Sequence, residues 1–331
     1  MKILVTGAGG FVGSRLCETL VEKGIDVVAA FRRRPLENGL EALTKPSSAQ
    51  SGAIVNIAVG DLARTDWSGI LAGIDTAIHL AGRAHRSNDY SHETYQLYHD
   101  DNVVATRRLA EACVQAGVRR FVFLSSVKVM GECSPRSAFS EADIPQPEDI
   151  YGITKLEAEQ LLFDIANRRQ LELVIVRAPL VYGPGVRANF LRLMRLIDAG
   201  FPLPLGNANN LRSLIFLDNL VNSLIVCGTD IRAAGVYFVC DRELLSVRKL
   251  LEQLAFALNK NARFFSLPKG LLAAIAKLVG RNAEFRRLFE PLVVSSGKIE
   301  RELDWTPPFS AAAGISATAR GFHKSRGRSR R

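Results

Sequence analysis

Tyr151 and Lys155 stand four residues apart in Tyr151-Gly152-Ile153-Thr154-Lys155. At the start of a helix that spacing puts a phenol and an ammonium on one face. A phenol titrates near pH 10 in water, so a tyrosine that moves protons at neutral pH needs positive charge beside it, which Lys155 is placed to supply. Far earlier, Thr6-Gly7-Ala8-Gly9-Gly10-Phe11-Val12-Gly13 follows the first hydrophobic run. Gly7 permits a tight bend and Gly10 lets backbone N–H groups approach a pyrophosphate. Gly13 lets the next helix pack closely, with the anion on that helix's N-terminus. A dinucleotide turn and a proton-transfer pair in one chain indicate a redox enzyme.

Several elements must position these groups. Residues 2–6 have the β-branched, apolar character of a buried parallel strand. The helix after the turn presents Leu16, Leu20 and Val21 as its apolar stripe and stops at Gly24. The second strand, 26–31, ends in Arg32-Arg33-Arg34. A carboxylate roughly 20 residues beyond such a turn binds the ribose 2′-hydroxyl of NAD, whereas arginine meets the 2′-phosphate of NADP. Because guanidinium binds phosphate with a planar, two-pronged charge, NADP(H) is favoured over NAD, and Asp26 sits at the wrong end of its strand to compete. Further strands at 54–59, 76–80, 120–124 and 171–176, with helices between several of them, predict an α/β fold with a doubly wound parallel sheet. Their ends, Gly60-Asp61-Leu62, Ala81-Gly82 and Ser125-Ser126, fall on the carboxyl edge, where such folds bind ligands. On local grounds Asp61 serves equally as a cap or turn residue and as an adenine contact.

More motifs follow in order: His79-Leu80-Ala81-Gly82, Asn102, Phe123-Leu124-Ser125-Ser126, Arg177, Val181-Tyr182-Gly183-Pro184, Asn189-Phe190, Arg212 with Asp218, and Leu303-Asp304-Trp305-Thr306-Pro307. With them the chain resembles, to about Pro308, the extended short-chain dehydrogenase/reductases of the nucleotide-sugar epimerase/dehydratase family. The resemblance implies a Rossmann-like sheet with a smaller mixed α/β lobe for the substrate. It makes Tyr151 the acid/base, Lys155 its electrostatic partner and ribose ligand, and Ser126 the third member, donating to a sugar oxygen. To the cofactor contacts at Gly7, Gly10, Gly13, Arg32 and Arg33 it adds Phe11, Val12, Asp61, Leu62, Leu80, Ala81, Gly82, Asn102, Tyr151, Lys155 and Pro179. Ser125, Ser126, Asn189 and Arg212 become substrate contacts.

Dehydrating relatives carry an Asp-Glu pair just before Val-Tyr-Gly, since elimination needs its own acid and base. This chain has Val127 and Lys128 there, which excludes a 4,6-dehydratase. Hydride transfer at C4 of a nucleotide-linked hexose, with UDP as the expected nucleotide, is left in two forms. One is an NADPH-consuming reductase of a 4-keto-6-deoxy sugar nucleotide for surface polysaccharide synthesis. The other is a UDP-hexose 4-epimerase, of glucose or N-acetylglucosamine type, that keeps NAD bound. The arginine triplet places the reductase first. Met130 and Pro179 depart from the residues usual in epimerases, so the sugar's identity does not transfer. A non-catalytic NADP-sensing or RNA-binding protein is the remote alternative, against which the intact Ser126, Tyr151 and Lys155 set argues.

A chain of 331 residues can bury a large core and split into two lobes. Residues 1–178, with a return segment at 213–240, form the cofactor lobe; 179–212 and 241–319 form the substrate lobe. Residues 320–331 read as a basic, disordered tail. That tail holds six cations and no acid out of a net charge of +10, so the body gives no reason to expect nucleic acid as a partner. Arg212 is the cation for a buried diphosphate, with Arg281, Arg286 and Arg287 as unranked second candidates. Five scattered cysteines suit a reducing cytoplasm, and the chain starts directly in a strand rather than in a signal peptide. His85, His92 and His99 make no ligand constellation, so no metal is assigned. Residues 270–280 are too short to span a bilayer. An amphipathic helix packed on the substrate lobe is preferred there to one lying on an anionic membrane. A homodimer is expected only by analogy, through the four-helix interface frequent in relatives.

Overall fold

The computed structural model describes residues 1–33, 52–84, 91–134, 137–280 and 282–329. Arg34, His85, Arg281, Arg330 and Arg331 therefore lie outside the described residues. The strands are β1 (Lys2–Thr6), β2 (Asp26–Phe31), β3 (Ile54–Ala58), β4 (Thr76–His79), β5 (Arg120–Ser126), β6 (Glu172–Ala178), β7 (Leu180–Tyr182), β8 (Leu211–Arg212), β9 (Leu214–Phe216), β10 (Gly235–Phe238) and β11 (Leu245–Ser246). The helices are α1 (Phe11–Glu22), α2 (His92–His99), α3 (Ala105–Gln115), α4 (Ile150–Arg169), α5 (Ala188–Asp198), α6 (Leu217–Thr229), α7 (Val247–Ala257), α8 (Lys269–Leu278), α9 (Asn282–Phe289), α10 (Gly297–Leu303) and α11 (Ala311–Ser329).

Seven strands form one parallel sheet in the order β10-β6-β5-β4-β1-β2-β3. Strands such as Ile3-Leu4-Val5 are buried on both faces, which is why they read as continuous apolar runs rather than alternating ones. One face packs on Leu16 and Leu20 of α1 and on Leu220 and Leu224 of α6. The other packs on Leu109 of α3 and on Leu162 and Ile165 of α4. Beyond the sheet, β7 pairs in parallel with β9, and β8 pairs antiparallel with β11. Strand β10, from the return segment, closes the far edge against β6.

One sequence expectation needs correction. The tail is helical as far as it is described: α11 runs to Ser329 because Ile315, Ala319 and Phe322 are buried, so the apolar face outlasts the point where the cations begin. Helix α8 is amphipathic: Leu272 is half-buried against the core, while Leu271, Ile275 and Leu278 on its other side stay exposed. None of its residues is buried, and it packs chiefly against α9.

Candidate active site

Strands β1 and β4 are neighbours, but the chain proceeds from β1 toward β2 and from β4 toward β5. That divergence opens a crevice at the carboxyl edge of the sheet. Gly7 has φ +70°, and a Cβ there would lie 2.9 Å from the Ala81 nitrogen; a Cβ on Gly13 would overlap the Gly7 carbonyl. Gly10 caps α1 without a side-chain hydrogen bond, and no acid occupies the first turn. The amides of Phe11, Val12 and Gly13 thus stand at the positive end of the helix without intrahelical acceptors. The crevice, about 410 Å³, is lined by Gly7, Gly10, Arg32, Arg33, Leu62, Leu80, Ala81 and Gly82, with Asp101 beside them. Bare backbone at an anion-attracting helix end, flanked by apolar walls, fits a dinucleotide.

Two residues expected at the cofactor also make hydrogen bonds within the protein. Asp61 is exposed and accepts from the Ala63 N–H at 3.1 Å, a turn bond made by one of its two carboxylate oxygens. Asn102 is buried; its amide donates to Thr154 Oγ1 at 3.0 Å and its oxygen accepts from the Arg83 N–H at 2.7 Å. It braces α4 against the loop after β4. The sequence also gave no notice of Asp101, which binds Arg32 and Arg83 at 2.9 Å each. Arg32 is thereby partly neutralised where a 2′-phosphate would need it.

Helix α4 brings Tyr151 and Lys155 to the same edge. Its N-terminus is fixed by Asp149, whose Oδ1 accepts from the Gly152 N–H at 2.7 Å. Gly152 is needed because a Cβ would crowd the Lys128 carbonyl. The Tyr151 phenol shares a hydrogen bond with Ser126 at the end of β5, which also accepts from the Lys128 N–H at 3.2 Å. Lys155 is 5% exposed, with Nζ 3.8 Å from the centre of the Phe123 ring. Burial pulls its ammonium down to about 7 against the opposing charge of Glu159.

The phenol departs from the sequence expectation. Burial pushes it up to about 12; the Ser126 hydrogen bond pulls it down, while Asp149 and Tyr98 raise it further. Lys155 faces the Phe123 ring, and desolvation is the largest influence on the phenol. Beneath the pair runs a polar chain that sequence reasoning missed. His79 lies between Thr6 Oγ1 at 2.6 Å and Thr106 Oγ1 at 3.0 Å, and Thr106 donates to the Asn102 carbonyl at 2.6 Å. Burial pulls His79 down to about 3, so it is a neutral linker. A histidine ending an otherwise apolar strand was the one available signal.

At the substrate end, Arg212 Nη1 donates to the Glu290 carbonyl at 3.0 Å. Burial lowers its pKa; the nearby charge of Glu132 opposes that shift and that of Arg287 adds to it. Arg286 is committed to Glu148 at 2.6 Å and Glu290 at 2.9 Å. Lys128 binds Glu132 and lies 3.6 Å from Asp149. Ser125 is buried, and its hydroxyl finds no partner among the described residues. Asn189 is exposed on the first turn of α5, and Pro179 is buried between β6 and β7. Among the described residues no trio of His, Cys, Asp or Glu could hold a metal ion.

Known proteins share this architecture. The chain is 35% identical to a UDP-glucose 4-epimerase of Vibrio cholerae, covering 97% of this chain and 95% of that one. It is 30% identical to N-acetyl-alpha-D-glucosaminyl-diphospho-ditrans,octacis-undecaprenol 4-epimerase of Escherichia coli O157:H7, over 81% and 75% of the two chains. The solved UDP-glucuronic acid 4-epimerase of Bacillus cereus, in complex with UDP-glucuronic acid and NAD, superposes with a TM-score of 0.79 at 26% identity, over 98% of this chain and 100% of that one. Residues 3–240 match the profile of the NAD dependent epimerase/dehydratase family, and the chain belongs to that family.

Proposed function

We propose that this chain is a UDP-hexose 4-epimerase working with a resident NAD. The reading rests on Ser126 and Tyr151 standing together at the carboxyl edge of the sheet, with Lys155 one turn along α4, while the positions of an elimination pair hold a buried Val127 and an ion-paired Lys128. NAD, when bound, accepts a hydride from C4 and returns it. The residues do the rest. Tyr151 takes the C4 hydroxyl proton as the carbinol is oxidised and gives it back on reduction. Ser126 aligns the oxygen, and Lys155 contributes charge and a donor to the ribose. Arg212 and Arg287 counter the diphosphate, and Ser125 offers its unpartnered hydroxyl to the substrate. Residues 1–178 with 213–240 serve the cofactor, and 179–212 with 241–319 serve the sugar nucleotide.

The ordering of epimerase and reductase is thus reversed from the sequence reading. Support comes from the Arg32–Asp101 pair, which weakens the argument for NADPH, and from the Vibrio cholerae and Escherichia coli relatives, both named as 4-epimerases. Extraction of the purified, dialysed protein should yield NAD, and incubation with UDP-glucose should produce UDP-galactose by NMR without net NAD(P)H change. Stoichiometric NADPH oxidation with a UDP-4-keto-6-deoxy sugar, and no epimer, would restore the reductase.

Asp101 gives a separate handle on cofactor choice. Asp101→Asn removes the carboxylate that holds Arg32 and Arg83, leaving both guanidiniums available to a 2′-phosphate. The NADP-to-NAD affinity ratio is expected to rise about tenfold, or roughly 1.4 kcal/mol. Titration of both cofactors by calorimetry checks it, and an unchanged ratio would show that Arg32 does not reach the phosphate position.

A further inference from the structure

We propose that residues 265–279, centred on α8, form a peripheral docking surface for an anionic lipid bilayer. The inference stands apart from the sugar-nucleotide reading, since it uses none of the crevice. Leu271, Ile275, Leu278 and Val279 are 49%, 47%, 88% and 58% exposed, and their spacing places them on one helical stripe. Phe265, just before the helix, is exposed too. Five of the seventeen large exposed hydrophobic residues among those described fall in these fifteen positions, so this is a patch and not scattered surface. The patch extends through Phe201, which is 60% exposed: Leu203 accepts from the Phe265 N–H, tying the two segments side by side.

Charge decides what covers it. From Gln253 to Ala283 the sequence has no Asp or Glu, while Arg263, Lys269 and Lys277 are exposed around the apolar stripe. A second copy of the chain, meeting this patch with its own, would set cations against cations. An acidic polymer would satisfy the charge and leave the leucines in water. Only a surface with anionic headgroups over an apolar interior complements both features. The attachment of α8 allows it, since the helix is held mainly by α9 and by a Lys269 bond to the Phe289 carbonyl at 3.4 Å. Helix α9 carries Arg286 and Arg287 to the substrate end of the crevice, so docking brings that end toward the membrane.

The test is co-sedimentation of the full chain with extruded vesicles of phosphatidylcholine alone or with about 30% phosphatidylglycerol, at low and physiological salt. The wild type is expected to partition onto the anionic vesicles at least about tenfold better than onto the neutral ones, less so as salt rises. Leu271→Glu/Ile275→Glu/Leu278→Glu should lose that partition about tenfold or more, with unfolding temperature and solution turnover unchanged. Leu278→Glu alone, at the most exposed position, should give a smaller loss in the same direction and guards against a misfolded triple variant. Equal binding of wild type and both variants overturns the proposal. So does failure to bind vesicles combined with a concentration-dependent dimer that the substitutions abolish, since the stripe would then be a contact between copies.

Discussion

Tyr151→Phe is expected to lower kcat about a thousandfold while leaving NAD affinity within a few-fold, because the variant loses one oxygen that carries the proton and keeps the ring that fills its place. Steady-state kinetics with UDP-glucose, beside a cofactor titration, would check it; turnover within tenfold of wild type would remove Tyr151 from the acid/base role. The same variant reports the phenol's resting state. Burial holds Tyr151 at about 12, above the ordinary value of 10, so in cofactor-stripped protein its hydroxyl stays protonated through neutral pH. The difference in near-ultraviolet tyrosinate titration between wild type and variant should therefore show one group ionising above pH 10. A midpoint near 7 would mean that Lys155 alone favours the phenolate, as the sequence spacing suggested. Positive charge brought by the oxidised nicotinamide is then what lowers the phenol in the working enzyme, which couples proton abstraction to the oxidised state of the cofactor.

What was legible in the sequence was whatever short-range pattern determines. The strand ends, the glycine turn and the Tyr151-to-Lys155 helix follow from periodicity, from φ +70° at Gly7 and from the crowding at Gly13 and Gly152, all of which leave marks in residue type. The site's electrostatics depend on partners far apart in the chain. Asp101 meets Arg32 across 69 positions, and the chain just after α9 returns to β8, where Leu292 pairs with Arg212 and the Glu290 carbonyl accepts from it. Neither contact has a local signature, so the arginine triplet read as a free phosphate site and three arginines stayed unranked. Desolvation was the other hidden quantity. A Tyr-Lys pair at helical spacing looks mutually stabilising on paper, but enclosure against Phe123 and Ser126 moves both groups toward their neutral forms. The helical tail fails the same way, because composition reports hydrophobicity and not what lies opposite.

Lys155→Met should make the protein more stable and nearly inactive. The ammonium is 5% exposed and stands over the Phe123 ring, and burial lowers its pKa from 10.5 to about 7. A cation whose folded pKa lies below its unfolded one costs stability, on the order of several kcal/mol for a shift of that size. The penalty is complete below about pH 7, where both states are charged. Between about 7 and 10.5 the unfolded chain binds the extra proton, so wild-type stability rises with pH and the penalty fades. Methionine fills similar volume without a charge to desolvate. The unfolding temperature of Lys155→Met should therefore exceed that of the wild type most clearly at or below pH 7, with the gap closing toward pH 10. Turnover should fall at least about a hundredfold, because the charge beside the phenol and the donor to the ribose are both lost. Thermal unfolding across pH, paired with assays at one pH, separates the two effects. A gap that stays constant with pH, or a variant less stable than wild type throughout, would mean that contacts in the native protein fully compensate the buried charge, and the stability cost assigned to this catalytic position would be wrong.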